Sequence, residues 1–374
     1  MWCCRTAREG QVRLRIVIAA MLLLALAGPA TAQERAAACP GLLPGGQRVP
    51  LSSPPIDNES LNRPPVVPVP PALAEAARNI VGLFEGGGAD PYTNIGGIDG
   101  ISLGYLQWNH GTGSLYTSLL SRMSAADVQL APAGIRSDLK VLLDHAHRRS
   151  SRSAANEVVR GWTTATASDP LIRRVRRSVR QDLSAWLDQP PIRAHQKALV
   201  ETRMQSSYRL ARAWNRDTGR PAEVSPRLLA YFFDLEVFNG SRQGIWVRHV
   251  RDLRARVGDS RNVLAYIDDW MSLCEQYRDP NASDKKLYNV ESARRNTKYW
   301  KTLHQAEPHR FDDEAVDLLV FGYLRATRSN GSNPPRGFPG IFQADVMNRR
   351  GMIAVGKGYL IGSSSPREFY RLVN

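Results

Sequence analysis

"LFEGGGADPYTNIGGIDGISLGYLQWNHGTGSL", Leu83 to Leu115, decides how the rest of the chain is read. One glutamate, Glu85, closes an apolar run. Nine glycines follow it among aromatics and amides, with no Lys or Arg, although the 374-residue chain carries a formal net charge of +15. Upstream, Leu73, Ala77, Ile80 and Phe84 recur at helical spacing behind Pro71, whose missing N–H suits a first helical turn. The glycines at 86 to 88 stop that helix and leave Glu85 in or beside its last turn. Downstream, Asp99-Gly100 between Ile98 and Ile101 predicts a hairpin with a two-residue loop. Ser114 is placed to cap a new helix over "LYTSLLSRM".

A carboxylate at a helix C-terminus meets the negative end of the macrodipole, and desolvation beside Phe84 would raise its pKa further. That suits Glu85 to donate a proton as a general acid. Glycosidic bonds are most often cleaved by two carboxyl groups. The second candidate is Asp99 on the hairpin, with Asp90 and Glu236 in reserve. Tyr92, Asn94, Ser102, Tyr105, Gln107, Trp108, Asn109 and Thr112 supply the aromatic faces, amides and hydroxyls of a sugar site, and glycines allow close approach of the chain. His110 is placed to line the same cleft. A Lys beside Glu85 would favour its ionised form, which accounts for the missing cations. The plainer alternative makes Glu85 a surface residue and Asp99-Gly100 simply a tight turn.

The helix ending in Glu85, the glycine-bearing hairpin and "SLGYLQW" together resemble the catalytic region of the lysozyme-like superfamily. Gly104, Leu106 and Gln107 match the Gly-x-Leu/Met-Gln motif that goose-type lysozymes and lytic transglycosylases carry after their catalytic Glu. The stretch also resembles family 46 chitosanases, with Asp99-Gly100 and Gly111-Thr112-Gly113 standing in their Asp-Gly and Gly-Thr-Gly elements, and "LLAYFFDLEVFNG" is similar to their central helix. It departs from them in a shorter Glu-to-Asp interval and in Glu-Gly where lytic transglycosylases have Glu-Ser. The resemblance implies an α+β, mainly helical, two-lobed lysozyme-like fold with a small β-hairpin region beside the catalytic helix, Glu85 as acid and Asp99 as base.

From Ser137 onward the pattern is mainly helical. "SPRLLAYFFDLEVFNG" is apolar nearly all round, starts at Ser225-Pro226 and stops at Asn239-Gly240, as a buried central helix does. Asp234 and Glu236 within it must find partners, arginines of neighbouring helices first. Helices are predicted around Asn262 to Arg278 and Asp313 to Thr327. "RRVRRSVRQ" reads as one basic helix face, His145 and His147 as helix-surface residues, "GKG" at 356 to 358 as a hairpin turn, and the tail as one short helix with a Gly-rich turn.

Residues 1–32 read as a signal peptide: a basic start, the apolar run "IVIAAMLLLALAG", and small residues before Gln33. The run is short of the ~20 residues a spanning helix needs. Its four Arg and one Glu take +3 from +15, leaving +12 after cleavage. Residues 33–70 are a Pro-rich linker or extended arm, and 71–374 one catalytic domain. A periplasmic or secreted protein this basic suits a carboxylate-bearing wall polymer better than cationic chitosan, and export argues against nucleic acid. The partner expected is peptidoglycan or a related amino-sugar polysaccharide, with the membrane met only during export and a monomer as the default. A chitosanase-like hydrolase and a non-catalytic peptidoglycan-binding protein are the alternatives. No zinc, haem, P-loop or dinucleotide signature occurs, so no metal or cofactor is expected. Cys39 and Cys274 either bridge or remain separate thiols.

Overall fold

Pro71 does open a helix: α1 (Pro71–Glu85) buries Ala77, Ile80 and Val81 and ends at Glu85, before the three glycines. The computed structural model describes residues 67–85, 90–97, 100–166, 169–237, 242, 244–276, 284–328 and 339–370, apart from the side chains of 85, 166, 169–172, 276, 284–289 and 339–342. The proposed signal peptide, most of the arm, Asp99 and the Asn239-Gly240 stop lie outside them.

After a 3-10 turn at Pro91–Thr93, three two-residue strands form one antiparallel sheet in the order β1 (Ile95–Gly96), β2 (Ser102–Leu103), β3 (Trp108–Asn109). Ile95 faces Leu103 and Gly96 faces Ser102, so the β1–β2 connection runs from Gly97 to Ile101 and is longer than the predicted two residues. Gly97 turns aside to a different partner: its carbonyl accepts the Arg173 N–H at 2.8 Å, and a Cβ on it would stand 1.9 Å from the Arg173 carbonyl oxygen. A π-helical turn (Leu115–Leu119) and a 3-10 turn (Leu120–Arg122) replace the predicted α-helix. Ser114 makes no side-chain cap there, because its hydroxyl accepts the Asn109 N–H at 2.8 Å.

The chain continues through α2 (Ala125–Gln129), α3 (Ala133–Ala146) and α4 (Arg152–Trp162) into the β4 (Thr163–Thr166) and β5 (Asp169–Val175) hairpin. Then come α5 (Arg177–Leu187), α6 (Pro190–Thr218), α7 (Pro226–Val237), α8 (Val247–Val257), α9 (Ser260–Gln276), α10 (Asp284–Ala306), α11 (Asp313–Thr327) and α12 (Pro339–Val355). β6 (Lys357–Gly358) pairs antiparallel with β7 (Arg367–Glu368). The fold is thus α+β and mainly helical. Three expectations change. Arg173 and Arg174 lie on β5 and Arg176 precedes α5, so "RRVRRSVRQ" is no single helix face; "GKG" enters a strand; and the tail helix has 17 residues.

Two hydrophobic clusters result. The smaller gathers the sheet, the π-turn and α2 to α5 around Trp108, Trp162 and Trp186. The larger gathers α1 and α7 to α12 around Trp214, Phe232, Trp270 and Phe321. α6 belongs to both, with Ile192 in the smaller and Val200, Met204 and Trp214 in the larger. In α7, Ser225 accepts the Leu228 N–H at 3.0 Å as a cap, and every residue from Arg227 to Leu235 is buried. The fully buried Asp234 accepts from Arg349 and, at 2.9 Å, from Arg350, while Glu236 meets Arg203 at 3.4 Å. Both acids therefore find the arginines their burial requires.

The arm does not reach α1 as a free tether. Val67 and Val69 pack on the larger cluster, and the Val67 carbonyl accepts from Gln205 at 2.7 Å. Cys274 is buried and disulfide-bonded; the other cysteines, Cys39 among them, lie outside the described residues. Among the described residues no helix is long and apolar enough to cross a membrane.

Candidate functional site

Glu85 is the last residue of α1; its side chain, like Asp99, lies outside the described residues. The ring before it, Phe84, stacks on Phe369 at 5.4 Å and 22° and has the Arg349 guanidinium 4.9 Å from its centre. Phe84, the residue before Glu85, is therefore held by the larger cluster.

Facing α1 is the turn Gly104–Gln107, between β2 and β3. The Tyr105 hydroxyl donates to the Arg78 carbonyl of α1 at 3.1 Å. The Tyr105 N–H donates at 3.0 Å to Oε1 of Gln196, a fully buried side chain on α6 whose Nε2 donates to the Tyr92 carbonyl at 3.1 Å and the Leu187 carbonyl at 3.4 Å. Gly104 is required for this. Its φ is +72°, and a Cβ there would stand 2.3 Å from Gln196 Oε1. Gln107 itself has φ +48°, and its Nε2 donates to the Gly104 carbonyl at 2.8 Å and the Asn94 carbonyl at 3.4 Å. The Gly-x-Leu-Gln pattern is thus a turn with its own internal brace.

Several residues read as sugar contacts do other work. Tyr105 and Trp108 are 4% and 5% exposed and belong to the larger and smaller cluster respectively, so neither offers the open face expected of it. Ser102 is buried and accepts from Asn109 Nδ2 at 2.9 Å, while Asn109 Oδ1 accepts the Thr112 N–H at 2.8 Å. Tyr92, Asn94, Gln107 and Asn109 remain half-buried and Thr112 exposed, in two groups on either side of β2. Burial raises the Tyr92 phenol above its ordinary pKa. Asp90 accepts the Tyr92 N–H at 3.1 Å and pairs with Arg193, whose guanidinium lies 5.2 Å from the Tyr92 ring. As a reserve carboxylate it is already engaged, as is Glu236 with Arg203.

The stretch without cations receives them from elsewhere. Arg193 of α6 pairs with Asp90, Arg180 of α5 donates to the Ile95 carbonyl at 2.8 Å, and Arg152 of α4 donates to the His110 carbonyl at 2.7 Å. Short strands leave carbonyls without ladder partners, and guanidinium forks from neighbouring helices satisfy them. His110 is buried rather than open to a cleft, sharing a 2.6 Å hydrogen bond with Tyr116, whose phenol burial pushes up to about 12. His145 packs edge-on against the same ring at 4.6 Å.

Gln196, Arg193, Arg152 and Tyr116 were not singled out from the sequence. Gln196 carries a legible signal: it interrupts the apolar stripe Ile192, Val200, Met204 at helical spacing, where a polar side chain must have a partner. Among the described residues no three His, Cys, Asp or Glu side chains gather as metal ligands would. No family model, curated protein or solved structure matches the chain.

Proposed function

We propose that the protein is an exported, lysozyme-like enzyme that cleaves the glycan strands of bacterial peptidoglycan, with Glu85 as general acid and Asp99 as base or water-positioning group. It works as a monomer in the periplasm or outside the cell. The observation that carries the reading is the hydrogen bond from Tyr105 to Arg78, which ties the braced Gly104–Gln107 turn to the helix that ends in Glu85. A proton donor at a helix end beside a rigid amide-rich turn is the arrangement that acid-assisted glycosidic cleavage needs.

The test is incubation of purified peptidoglycan with the parent and with Glu85→Gln, followed by mass spectrometry of the soluble products. The parent releases disaccharide-peptides, and the variant, with an unchanged circular dichroism spectrum, loses about 10²-fold or more of the rate. Full turnover by Glu85→Gln rejects the acid assignment. Binding of sacculi by both proteins without release of any product would instead indicate a wall-binding protein.

A further inference from the structure

Behind the β1–β2 connection lies a surface cavity of about 330 Å³ lined by Gly100, His110, Arg152, Asn156, Arg160 and Arg173, among others. Arg152, Asn156 and Arg160 are spaced i, i+4, i+8 along α4 and so form one stripe of that helix, while Arg173 arrives from β5. Two of the guanidiniums are fixed in place. Arg152 sits 5.1 Å from the centre of the Tyr116 ring and donates to the His110 carbonyl; Arg173 donates to the Thr163 hydroxyl at 2.5 Å and its carbonyl at 3.4 Å. Arg160 stands exposed at the end of α4.

Among the described residues none of these three guanidiniums, exposed in Arg152 and Arg160 and half-buried in Arg173, pairs with a carboxylate, whereas Arg193, Arg220, Arg227, Arg254, Arg294 and Arg310 do. A second cavity of about 350 Å³, beside Arg212, Arg216 and Arg220, makes the contrast: there Arg216 pairs with Asp217 and Arg220 with Asp317. Three like charges held together repel one another, and in the first cavity the fold places two of them by contacts that leave donors unspent.

We propose that this cavity binds the carboxylate of a peptide carried on the glycan strand, making the enzyme prefer peptide-bearing over naked strands. Guanidinium forks match a carboxylate bidentately, and Gly100, just before β2, and His110, just after β3, bring the cavity up against the small sheet. Gly100 has φ +99°, and a Cβ there would stand 2.7 Å from the His110 ring, so the backbone passes close against the cavity wall. The proposal rests on the glycan-strand reading for its choice of ligand.

The test is calorimetric binding to the full chain carrying Glu85→Gln, which removes turnover. The probes are the wall disaccharide bearing a tetrapeptide, the same compound with its peptide carboxylates amidated, and the peptide-free disaccharide. The first should bind at least about tenfold more tightly than the other two, and adding Arg160→Glu should remove about tenfold of that preference, while Arg160→Lys keeps most of it. The exposed Arg160 side chain makes no hydrogen bond among the described residues, so its replacement leaves the fold intact; Arg173→Gln should erode the same preference. Equal affinity for the three probes, or a preference indifferent to Arg160→Glu, overturns the proposal. Cleavage is scored separately with the parent. A chain that cleaves but shows no carboxylate preference refutes the cavity alone, and one that shows the preference but never cleaves supports the cavity and refutes the hydrolase.

Discussion

The two hydrophobic clusters handle buried charge differently. The larger takes ion pairs inside, Asp234 with Arg349 and Arg350 and Arg227 with Asp312, beside neutral side chains such as Asn296 and Gln343. In the smaller and at its seam with α6, side chains mostly serve the backbone: buried Gln196 and half-buried Gln107 at the turn, half-buried Ser114 on Asn109, and buried Trp186 on the Asp127 carbonyl at 3.0 Å. Secondary structure explains the contrast. Long helices satisfy their own backbones, so the charges in the larger cluster join one helix to another. Two-residue strands do not, so amides and guanidiniums around the smaller cluster complete the backbone itself. The candidate site lies where the second strategy meets the first.

The largest effect that would test this contrast is expected at Asp234. Asp234→Ala takes the fully buried carboxylate from two buried arginines and should cost about 3–5 kcal/mol, read by denaturant unfolding. A cost below 1 kcal/mol would mean that the ion cluster does not hold the helices together. Next is Gln196→Leu, close in size but unable to serve the Tyr105 N–H and Tyr92 carbonyl, with an expected cost of about 1–3 kcal/mol. If the clusters unfold independently, each variant lowers its own transition. A single shared shift shows that α6 couples them.

The smallest effect concerns pH. Glu307 accepts from Lys357 at 2.8 Å and from Arg310, and these hydrogen bonds hold its carboxyl down at about 2 against an ordinary 4.5. Because the folded pKa is the lower, its stabilisation is fully present above the unfolded value and is lost as pH falls from about 4.5 to about 2. With solvent screening the contribution at neutral pH is about 1 kcal/mol or less. Glu307→Gln should lower stability by that amount at pH 6, with the difference from the parent vanishing near pH 2. A difference that does not change with pH would assign the effect to packing.

Much of the larger cluster was legible in the sequence. Pro71 and the glycine run bracket α1, Ser225 caps α7, and the apolar periodicity around Asn262 and Asp313 marks α9 and α11, because helix signals are local. The smaller cluster was harder. Val175, Val179 and Leu183 continue a helical period across the boundary between β5 and α5, and pairing with β4, together with the distant Gly97 carbonyl on the Arg173 N–H, draws the earlier part into an extended strand. Tyr105 and Trp108 were ambiguous for another reason. A core and a sugar platform ask for the same large flat side chain, and composition cannot say which side of it is covered.

α6 sets the mechanics of the whole. Its 29 residues form one unbroken rod of about 43 Å that is part of both cores. Two bodies strung on a common shaft have no slack linker to fold at, so opening between them is paid in bending or twisting of the shaft. Gln196 marks the bearing point, gripping Tyr92 and Tyr105 from the rod's buried side.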